Sequence, residues 1–165
     1  MHHLVSHVKC TTKPLMSCES TEKVLLRFWN LSNKTVSVIW LNFKGLYITY
    51  KILKPLEFFD ANSFVDHPWI FMDIHTGDRL VGNKQCVYYP EPWPEIKRKL
   101  PREHMNLTIG RILVSIIWPL YSLRDLCLRA VRDSTEKEET ILNLQVPLTV
   151  KNDLIQLWET KRLMS

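Results

Sequence analysis

Paired cysteines, long apolar runs and glycine-rich loops are missing from this sequence, which has only four glycines among its 165 residues. Its cysteines stand at Cys10, Cys18, Cys86 and Cys127. They form no C-x-x-C pair, which argues against a disulfide framework or a zinc site. The longest apolar stretch, over 112–120, contains a serine and a proline and is too short to cross a bilayer. Because the N-terminus also lacks the apolar core of a signal peptide, we expect a soluble protein of a reducing compartment, with no cofactor, metal or membrane partner.

The charges are unevenly distributed along the chain. The net charge of +5 lies entirely in residues 1–117, whereas residues 118–165 carry equal numbers of acidic and basic side chains. Part of the excess is a basic run over 97–102, which we interpret as a solvated loop rather than an anion-binding patch. A neutral second segment favours contacts with proteins, and we expect no direct contact with nucleic acid. The length suits one globular domain, or a domain with a small dependent subdomain.

Seven short segments rich in β-branched and aromatic residues predict strands. They are Val24–Trp29, Val36–Phe43, Leu46–Leu53, Trp69–Met72, Arg79–Gly82, Cys86–Tyr89 and Ile112–Ile117. Because no helix intervenes, we expect antiparallel pairing in an all-β sandwich domain of seven to eight strands over 21–117, after a flexible tail at 1–20. Prolines and basic residues over 90–111 predict an exposed loop.

The pattern becomes helical after Trp118, which predicts a small α-helical subdomain over 118–165. A first helix is expected over Leu123–Arg132, and residues 134–143 carry a weaker helical pattern. Val146-Pro147 introduces a second strong helix, since proline suits a helix start, and its apolar stripe extends to about Leu163. A subdomain of this size buries little apolar area, so it needs a partner or the β domain to stabilise it.

The start of the first predicted helix carries a specific pattern. Ser122 can cap the helix, and Asp125 completes a reciprocal capping box three residues later. Leu123, Cys127 and Val131 are four residues apart and therefore form one narrow apolar stripe. Such a stripe is usually core packing. Its spacing also resembles the BC box, the helix by which substrate receptors of cullin–RING ubiquitin ligases bind elongin C.

A second set of motifs lies in the β-rich region before this helix. It consists of Trp40-Leu41-Asn42-Phe43-x-Gly45, Tyr50 and Ser63-x-x-x-His67-Pro68-Trp69-x-Phe71-x-Asp73. These motifs followed by a BC box resemble the von Hippel–Lindau tumour suppressor family. The likeness runs from about residue 28 to 90 and resumes over 119–132, so two motif sets occur in the right order.

The resemblance implies a peptide-binding pocket. In that family an aromatic cage and two polar side chains hold a hydroxylated proline of the hypoxia-inducible factor α subunit. The matching cage residues are Trp40, Tyr50 and Trp69, and the matching hydroxyl-binding residues are Ser63 and His67. Aromatic faces suit the flat pyrrolidine ring.

Two positions beside this pocket depart from the family pattern. Phe64, which we include in the pocket, stands where the family usually has a tyrosine, and Asn62 where it has a histidine. Contacts with the backbone of a bound peptide are therefore expected to differ.

The resemblance also implies a non-catalytic receptor subunit of the cytoplasm and nucleus, assembled with elongin C, elongin B, and cullin-2 with its RING-finger protein. The elongin C-binding residues would be Ser122, Leu123, Cys127 and Val131. A segment resembling a cullin box supplies Val146, Pro147, Val150 and Leu154.

Two other interpretations stay open. In the first, the protein is a β-sandwich module that binds peptides without belonging to a ligase, and its helices only cover the open end of the sandwich. A hydrolase using Ser63, His67 and Asp73 is disfavoured, because the sequence has no nucleophile elbow and no oxyanion loop. Taken singly, each aromatic is also typical of a core residue, His67 of a structural histidine and Ser63 of a turn residue.

Overall fold

The computed structural model describes residues 15–99 and 110–162. The chain divides into two compact units. Within the described residues, the β unit comprises residues up to 73 and 79–119, and the helical unit comprises 74–78 and 120–162. Among the described helices, none combines the length and apolar character needed to cross a membrane.

Within the described residues, seven strands form one continuous sheet in the order β3-β2-β5-β6-β7-β1-β4. They are β1 Lys23–Asn30, β2 Val36–Leu41, β3 Tyr47–Leu53, β4 Phe58–Phe64, β5 Trp69–Asp73, β6 Arg79–Gly82 and β7 Ile112–Ile117. The edge strands β3 and β4 approach each other, so the sheet curls into a barrel-like form. The number of strands agrees with the prediction, but a two-sheet sandwich is not confirmed.

The prediction of purely antiparallel pairing is wrong at one place. Strands β1 and β7 pair in parallel, with Leu26 opposite Ile112 and Asn30 opposite Ile116. Two parallel strands must be joined by a long connection, but that connection does not have to be a helix. Here residues 31–111, which include five other strands, supply that connection.

Alternation of side chains along the strands places one face of the sheet in the core. On β1, Val24, Leu26 and Phe28 are buried and point inward. All five residues of β5 are buried. Trp69 and Phe71 lie in the main core, whereas Ile70 and Met72 pack in a second cluster with residues of β2. An interior strand buried on both faces explains the continuous apolar run of β5.

Strand β4 was not predicted from the sequence. Its inward residues opposite β1 are Phe59, Ala61 and Ser63, so the alternating apolar signal is weak. Asp60 faces outward and accepts two hydrogen bonds from the Arg27 guanidinium, at 2.7 and 2.8 Å. These bonds lower the pKa of the Asp60 carboxyl.

Two further predictions need correction in this region. Cys86–Tyr89 is not a strand, because only Tyr88 pairs, in a single bridge with Trp69. The predicted loop over 90–111 contains a short helix, α1 (Trp93–Lys99). Proline is compatible with the first turn of a helix, and the Pro92 carbonyl accepts from the backbone N–H groups of residues 95 and 96. Residues 100–109 lie outside the described part of the chain.

The helical unit contains α2 (Leu123–Asp133), α3 (Glu138–Leu142) and α4 (Leu148–Arg162). Its core is formed by the buried side chains Leu128, Ile141, Leu154 and Leu157. The predicted end of the last helix at Leu163 lies outside the described residues. These three helices confirm the predicted helical pattern after Trp118.

A buried ion cluster ties α2 to the 74–78 segment of the same unit. Arg132, whose side chain is 1% exposed, donates two hydrogen bonds of 2.7 Å to the Asp78 carboxylate. Arg129 also contacts Asp78 and lies over the Tyr121 ring at 4.1 Å. Burial, together with the neighbouring Arg132, lowers the pKa of Arg129 to about 10. The cluster therefore fixes the rotation of α2 about its own axis.

Candidate functional site

The structure brings the predicted pocket residues together in one connected set, which we call the aromatic site: Trp40, Tyr50, Ser63, His67 and Trp69. The Tyr50 ring makes edge contacts with Trp40 and Trp69, at centroid distances of 5.9 and 5.0 Å. The His67 imidazole stacks on Trp40 at 5.8 Å. These side chains come from β2, β3, β4 and β5 and from the turn before β5.

A bulge turns Tyr50 toward this site. On β2 and β3, Val38 pairs with Lys51 and the next residue, Ile39, pairs with Thr49, which leaves Tyr50 as the extra residue. A bulge of this kind redirects a side chain without breaking the strand. Tyr50 stays 47% exposed, so its ring forms the open wall of the aromatic site.

Ser63 and Trp69 form the buried floor. Ser63 faces inward on β4 and is 3% exposed, and Trp69 at the start of β5 is 2% exposed. The Trp69 indole N–H donates to the Ser63 hydroxyl oxygen at 3.0 Å. Because the hydroxyl accepts this bond, its own hydrogen remains to be donated. Ser63 therefore acts as an oriented hydrogen-bond donor.

His67 is held as a neutral ring with one defined tautomer. Its Nε2 lies 3.1 Å from the carbonyl oxygen of Cys18, and a carbonyl only accepts, so Nε2 carries the hydrogen. Burial lowers the pKa of His67, against smaller opposing effects of this bond and of the Asp66 carboxylate. In the neutral ring the lone pair is then on Nδ1. His67 therefore supplies an acceptor.

The turn between β4 and β5 sets the position of His67. Between Ser63 and Trp69 the chain makes a turn, in which Asp66 has a φ of 61°. Pro68 directly precedes β5, a position that suits proline because it has no backbone N–H to donate to a neighbouring strand. Phe64 is half-buried and packs against His67 at 5.3 Å, whereas Asn62 points outward and is exposed.

Two parts of this site were not predicted from the sequence. Phe43, at the turn after β2, places its ring 5.5 Å from His67 and 5.6 Å from Trp40. The segment around Ser17, assigned to the flexible tail, makes direct hydrogen bonds to Trp40 and His67. Phe43 belonged to a motif that carried the family resemblance, but no pattern in the sequence indicates the role of Ser17.

The arrangement is unsuited to a serine hydrolase. The Ser63 hydroxyl accepts from Trp69, and the Nε2–H of His67 donates to a backbone carbonyl. The Asp73 carboxylate lies 3.9 Å from the Lys34 ammonium at the other end of β5. A catalytic triad needs a histidine that is hydrogen-bonded both to the nucleophilic serine and to the acid. These hydrogen bonds of Ser63 and His67 are made to other groups.

The start of α2 has the predicted capping box. The Ser122 hydroxyl accepts from the Asp125 backbone N–H at 3.1 Å, and the Asp125 carboxylate accepts from the Ser122 N–H at 3.3 Å. The buried face of α2 carries Asp125, Leu128 and Arg132. The helix therefore begins at the residue that the sequence predicts. Its buried face lies beside the apolar stripe of Leu123, Cys127 and Val131.

Most of the predicted elongin C-binding stripe is exposed. Leu123 is 78% exposed and Cys127 is also exposed, whereas Val131 is half-buried against the core of the helical unit. Leu120 at 93% and Leu126 at 50% extend the same apolar surface. Both leucines were absent from the predicted stripe, because they do not follow the four-residue spacing of its members.

The predicted cullin-binding residues are not equally available to a partner. Leu154 is 1% exposed and lies in the core of the helical unit, and the half-buried Val150 packs against that core. Val146 is half-buried, whereas Pro147 is exposed. Any partner of this segment therefore meets the start of α4, where Leu148 is 72% exposed.

Comparisons with known proteins agree with the fold and the motifs. The VHL beta domain family matches residues 15–95, which include all five residues of the aromatic site. Protein Vhl of Drosophila melanogaster is 29% identical over 143 residues, an alignment that covers 82% of this chain and 78% of the fly protein. This second match extends the likeness beyond the β unit. Both matches are to von Hippel–Lindau proteins, so the chain is similar to that family over its β unit and beyond it.

Proposed function

We propose that this protein is the substrate-recognition subunit of a cullin–RING ubiquitin ligase, and that its aromatic site binds the prolyl-hydroxylated α subunit of hypoxia-inducible factor. The subunit has no catalytic role of its own. It presents the bound factor for ubiquitination and so for proteasomal degradation, in the cytoplasm and nucleus.

The observation that carries this proposal is that the aromatic site holds one hydrogen-bond donor, the Ser63 hydroxyl bonded by Trp69, and one acceptor, the His67 ring bonded through Nε2 to Cys18. A hydroxyl group both donates and accepts a hydrogen bond. The Ser63 hydroxyl and the Nδ1 of His67 therefore match the two capacities of a proline hydroxyl. Ordinary proline would leave both buried groups without a partner, which costs about 1–3 kcal/mol for each group.

The aromatic rings account for the proline ring itself. Trp40 and Tyr50 meet at nearly a right angle, with 86° between their planes, and so form two walls of a corner. Rigid aromatic side chains lose little conformational entropy when a ligand packs against them. An apolar corner above a polar floor suits a ring with a single hydroxyl group.

The exposed surface of α2 supports the ligase half of the proposal. Leu123, Leu126 and Cys127 are exposed on α2, and Leu120 is exposed just before this helix. The other face of α2 is anchored by Asp78 and by the core. A concentrated apolar surface on such a small unit is typical of a partner interface. We assign elongin C, with elongin B, to this surface, and cullin-2 with its RING-finger protein to the exposed start of α4.

Reconstituted ubiquitination tests the complete proposal. The chain, co-expressed with elongins B and C and combined with cullin-2 and its RING-finger protein, should modify a lysine-containing peptide of the hypoxia factor that carries hydroxyproline. The same peptide with proline is the matched control and should stay unmodified. Equal modification of the two peptides would contradict the receptor role, and absence of the elongins from the purified complex would contradict the ligase role.

A further inference from the structure

The segment 17–20 reaches the aromatic site from outside the strands that build it. Ser17 is 4% exposed, and its hydroxyl donates to the Leu41 carbonyl at 2.6 Å. The same oxygen accepts from the Trp40 indole N–H at 2.7 Å. The Ser17 backbone N–H donates to the Asn42 carbonyl at 3.1 Å. One serine therefore anchors the segment to the end of β2 and fixes the indole of Trp40.

The next residues of this segment contact His67. The Cys18 carbonyl accepts from the Nε2–H of His67 at 3.1 Å, and the Ser20 hydroxyl lies 3.4 Å from the same nitrogen. Further on, the Glu22 carbonyl accepts from the Val65 N–H, which holds the chain beside the turn that carries His67. Anchoring at Ser17 thus sets the place of the Cys18 carbonyl.

We propose that segment 17–20 is a positioning element of the aromatic site, which fixes the Trp40 indole through Ser17 and the tautomer of His67 through the Cys18 carbonyl, and so determines selectivity for hydroxyproline. The inference rests on the proposed function. None of these four residues needs to touch the bound peptide. The segment acts through the two side chains that do.

The physical reason is that each contact gives a hydrogen-bond partner to a polar group, the Trp40 indole N–H or the His67 imidazole. Without that partner, each side chain could adopt more than one hydrogen-bonding state. Without its acceptor the Trp40 indole N–H is left without a partner in a half-buried position. Without the Cys18 carbonyl the His67 ring can carry its hydrogen on either nitrogen. A hydrogen on Nδ1 removes the acceptor that a proline hydroxyl needs.

Replacement of Ser17 tests this proposal with the full chain in complex with elongins B and C. Ser17→Ala removes the anchoring hydroxyl, and Ser17→Thr retains a hydroxyl at the same place. Ser37→Ala is the matched control, because Ser37 is a similarly buried serine of β2 whose hydroxyl contacts Thr49 at 3.4 Å, away from the aromatic site. Calorimetry with hydroxylated and unmodified peptides of the hypoxia factor gives the selectivity ratio for each variant.

We expect Ser17→Ala to weaken binding of the hydroxylated peptide about tenfold, the equivalent of one lost hydrogen bond, with a smaller effect on the unmodified peptide. Ser17→Thr should restore most of the selectivity, and Ser37→Ala should leave it unchanged. Nitrogen-15 NMR supplies a readout independent of binding. In Ser17→Ala the Trp40 indole N–H should exchange faster with water, and the His67 ring should no longer hold its hydrogen only on Nε2.

The outcomes separate this inference from the proposed function. Equal binding of the two peptides by the wild-type chain would overturn both. A selective wild type whose selectivity, indole exchange and imidazole signals survive Ser17→Ala would overturn the positioning role alone. Loss of selectivity in Ser37→Ala to the same degree would also overturn it, because the effect would then be a general consequence of losing a buried serine.

Discussion

At the scale of single residues, Trp69 combines two roles that the sequence cannot separate. Its ring packs against Phe28 in the main core, with a centroid distance of 4.9 Å, and its indole N–H orients the Ser63 hydroxyl. A substitution that removes the whole ring therefore tests stability and binding together. A substitution that keeps a ring but removes the N–H isolates the orientation of Ser63.

We expect Trp69→Phe to weaken binding of the hydroxylated peptide by about 1 kcal/mol, because Ser63 loses the donor that orients it. Trp69→Ala should instead lower the free energy of unfolding by about 3–5 kcal/mol, the usual cost of emptying a buried aromatic position. Calorimetry and urea unfolding of the two variants distinguish these effects. Unchanged affinity in a folded Trp69→Phe variant would show that the indole N–H has no part in binding.

The titration of His67 makes binding depend on pH in a defined direction. Burial lowers the pKa of His67 below its ordinary value of 6.5, so the ring is mostly neutral at pH 6.5 and becomes more so as the pH rises. Affinity for the hydroxylated peptide should therefore level off above pH 6.5 and should fall once the pH drops below the lowered pKa. The unfolded chain takes up a proton first, so this residue's contribution to stability also declines as the pH falls below 6.5.

Calorimetry at several pH values checks this expectation. His67→Gln should bind the hydroxylated peptide more weakly and lose the pH dependence, because glutamine does not titrate. Ser63→Ala is the control that should weaken binding but keep the same pH profile. Tighter binding by the wild type on acidification would mean that the protonated ring is the binding form, contrary to the tautomer assigned to His67.

At the scale of secondary structure, α2 carries an exposed apolar surface and a buried surface that packs in the helical unit. Leu123 is 78% exposed, whereas Leu128, on the same helix, is 4% exposed in the core of the helical unit. The two leucines therefore form a matched pair for testing which surface elongin C recognises.

Leu123→Ala should abolish co-purification with elongin C while changing the stability of the chain little, because its side chain is exposed. The loss of a central leucine typically costs an interface about 2–4 kcal/mol. Leu128→Ala should lower stability by a similar amount through a core cavity. Wild-type recovery of elongin C with Leu123→Ala would refute the assignment of this surface.

The Asp78 cluster is the second feature that belongs to this scale. Removing one partner of a buried ion pair leaves an unpaired charge and costs about 3–5 kcal/mol. Asp78→Asn removes the carboxylate that Arg129 contacts and leaves Arg132 only the more exposed Asp133 carboxylate, so it should lower the melting temperature strongly. Asp153→Asn is the control, since its partner Arg124 is about half exposed and such a pair contributes little. Equal melting temperatures for the two variants would contradict a structural role for the cluster.

At the scale of the whole molecule, the sequence predicts those strands and helices that are determined by the pattern of neighbouring residues. The strands Arg79–Gly82 and Ile112–Ile117 and the start of α2 agree with the sequence pattern, because apolar alternation and a capping box are local signals. Strand β4 was missed because Ser63 takes an inward position that usually carries an apolar side chain. The parallel pairing of β1 with β7 depends on residues far apart in sequence, which no local pattern records.

The site was predictable to a different extent. The five residues of the aromatic site follow from the family resemblance, and the structure brings them together. The bulge that turns Tyr50 and the anchoring by Ser17 depend on tertiary pairing, so no periodicity indicates them. The same limit applies to Leu154. Its spacing in the sequence does not show whether the side chain is exposed to a partner or buried in the helical core, where the structure places it.

Recognition of hydroxyproline can be measured by calorimetry of the wild-type chain, in complex with elongins B and C. The two ligands are peptides of the hypoxia factor that differ only in the proline hydroxyl. We expect the hydroxylated peptide to bind on the order of a thousandfold more tightly, as polar sites do when a missing group leaves them unpaired. Ser63→Ala and His67→Ala should each reduce that preference by about 1–3 kcal/mol. Equal affinity of the wild type for the two peptides would contradict the account.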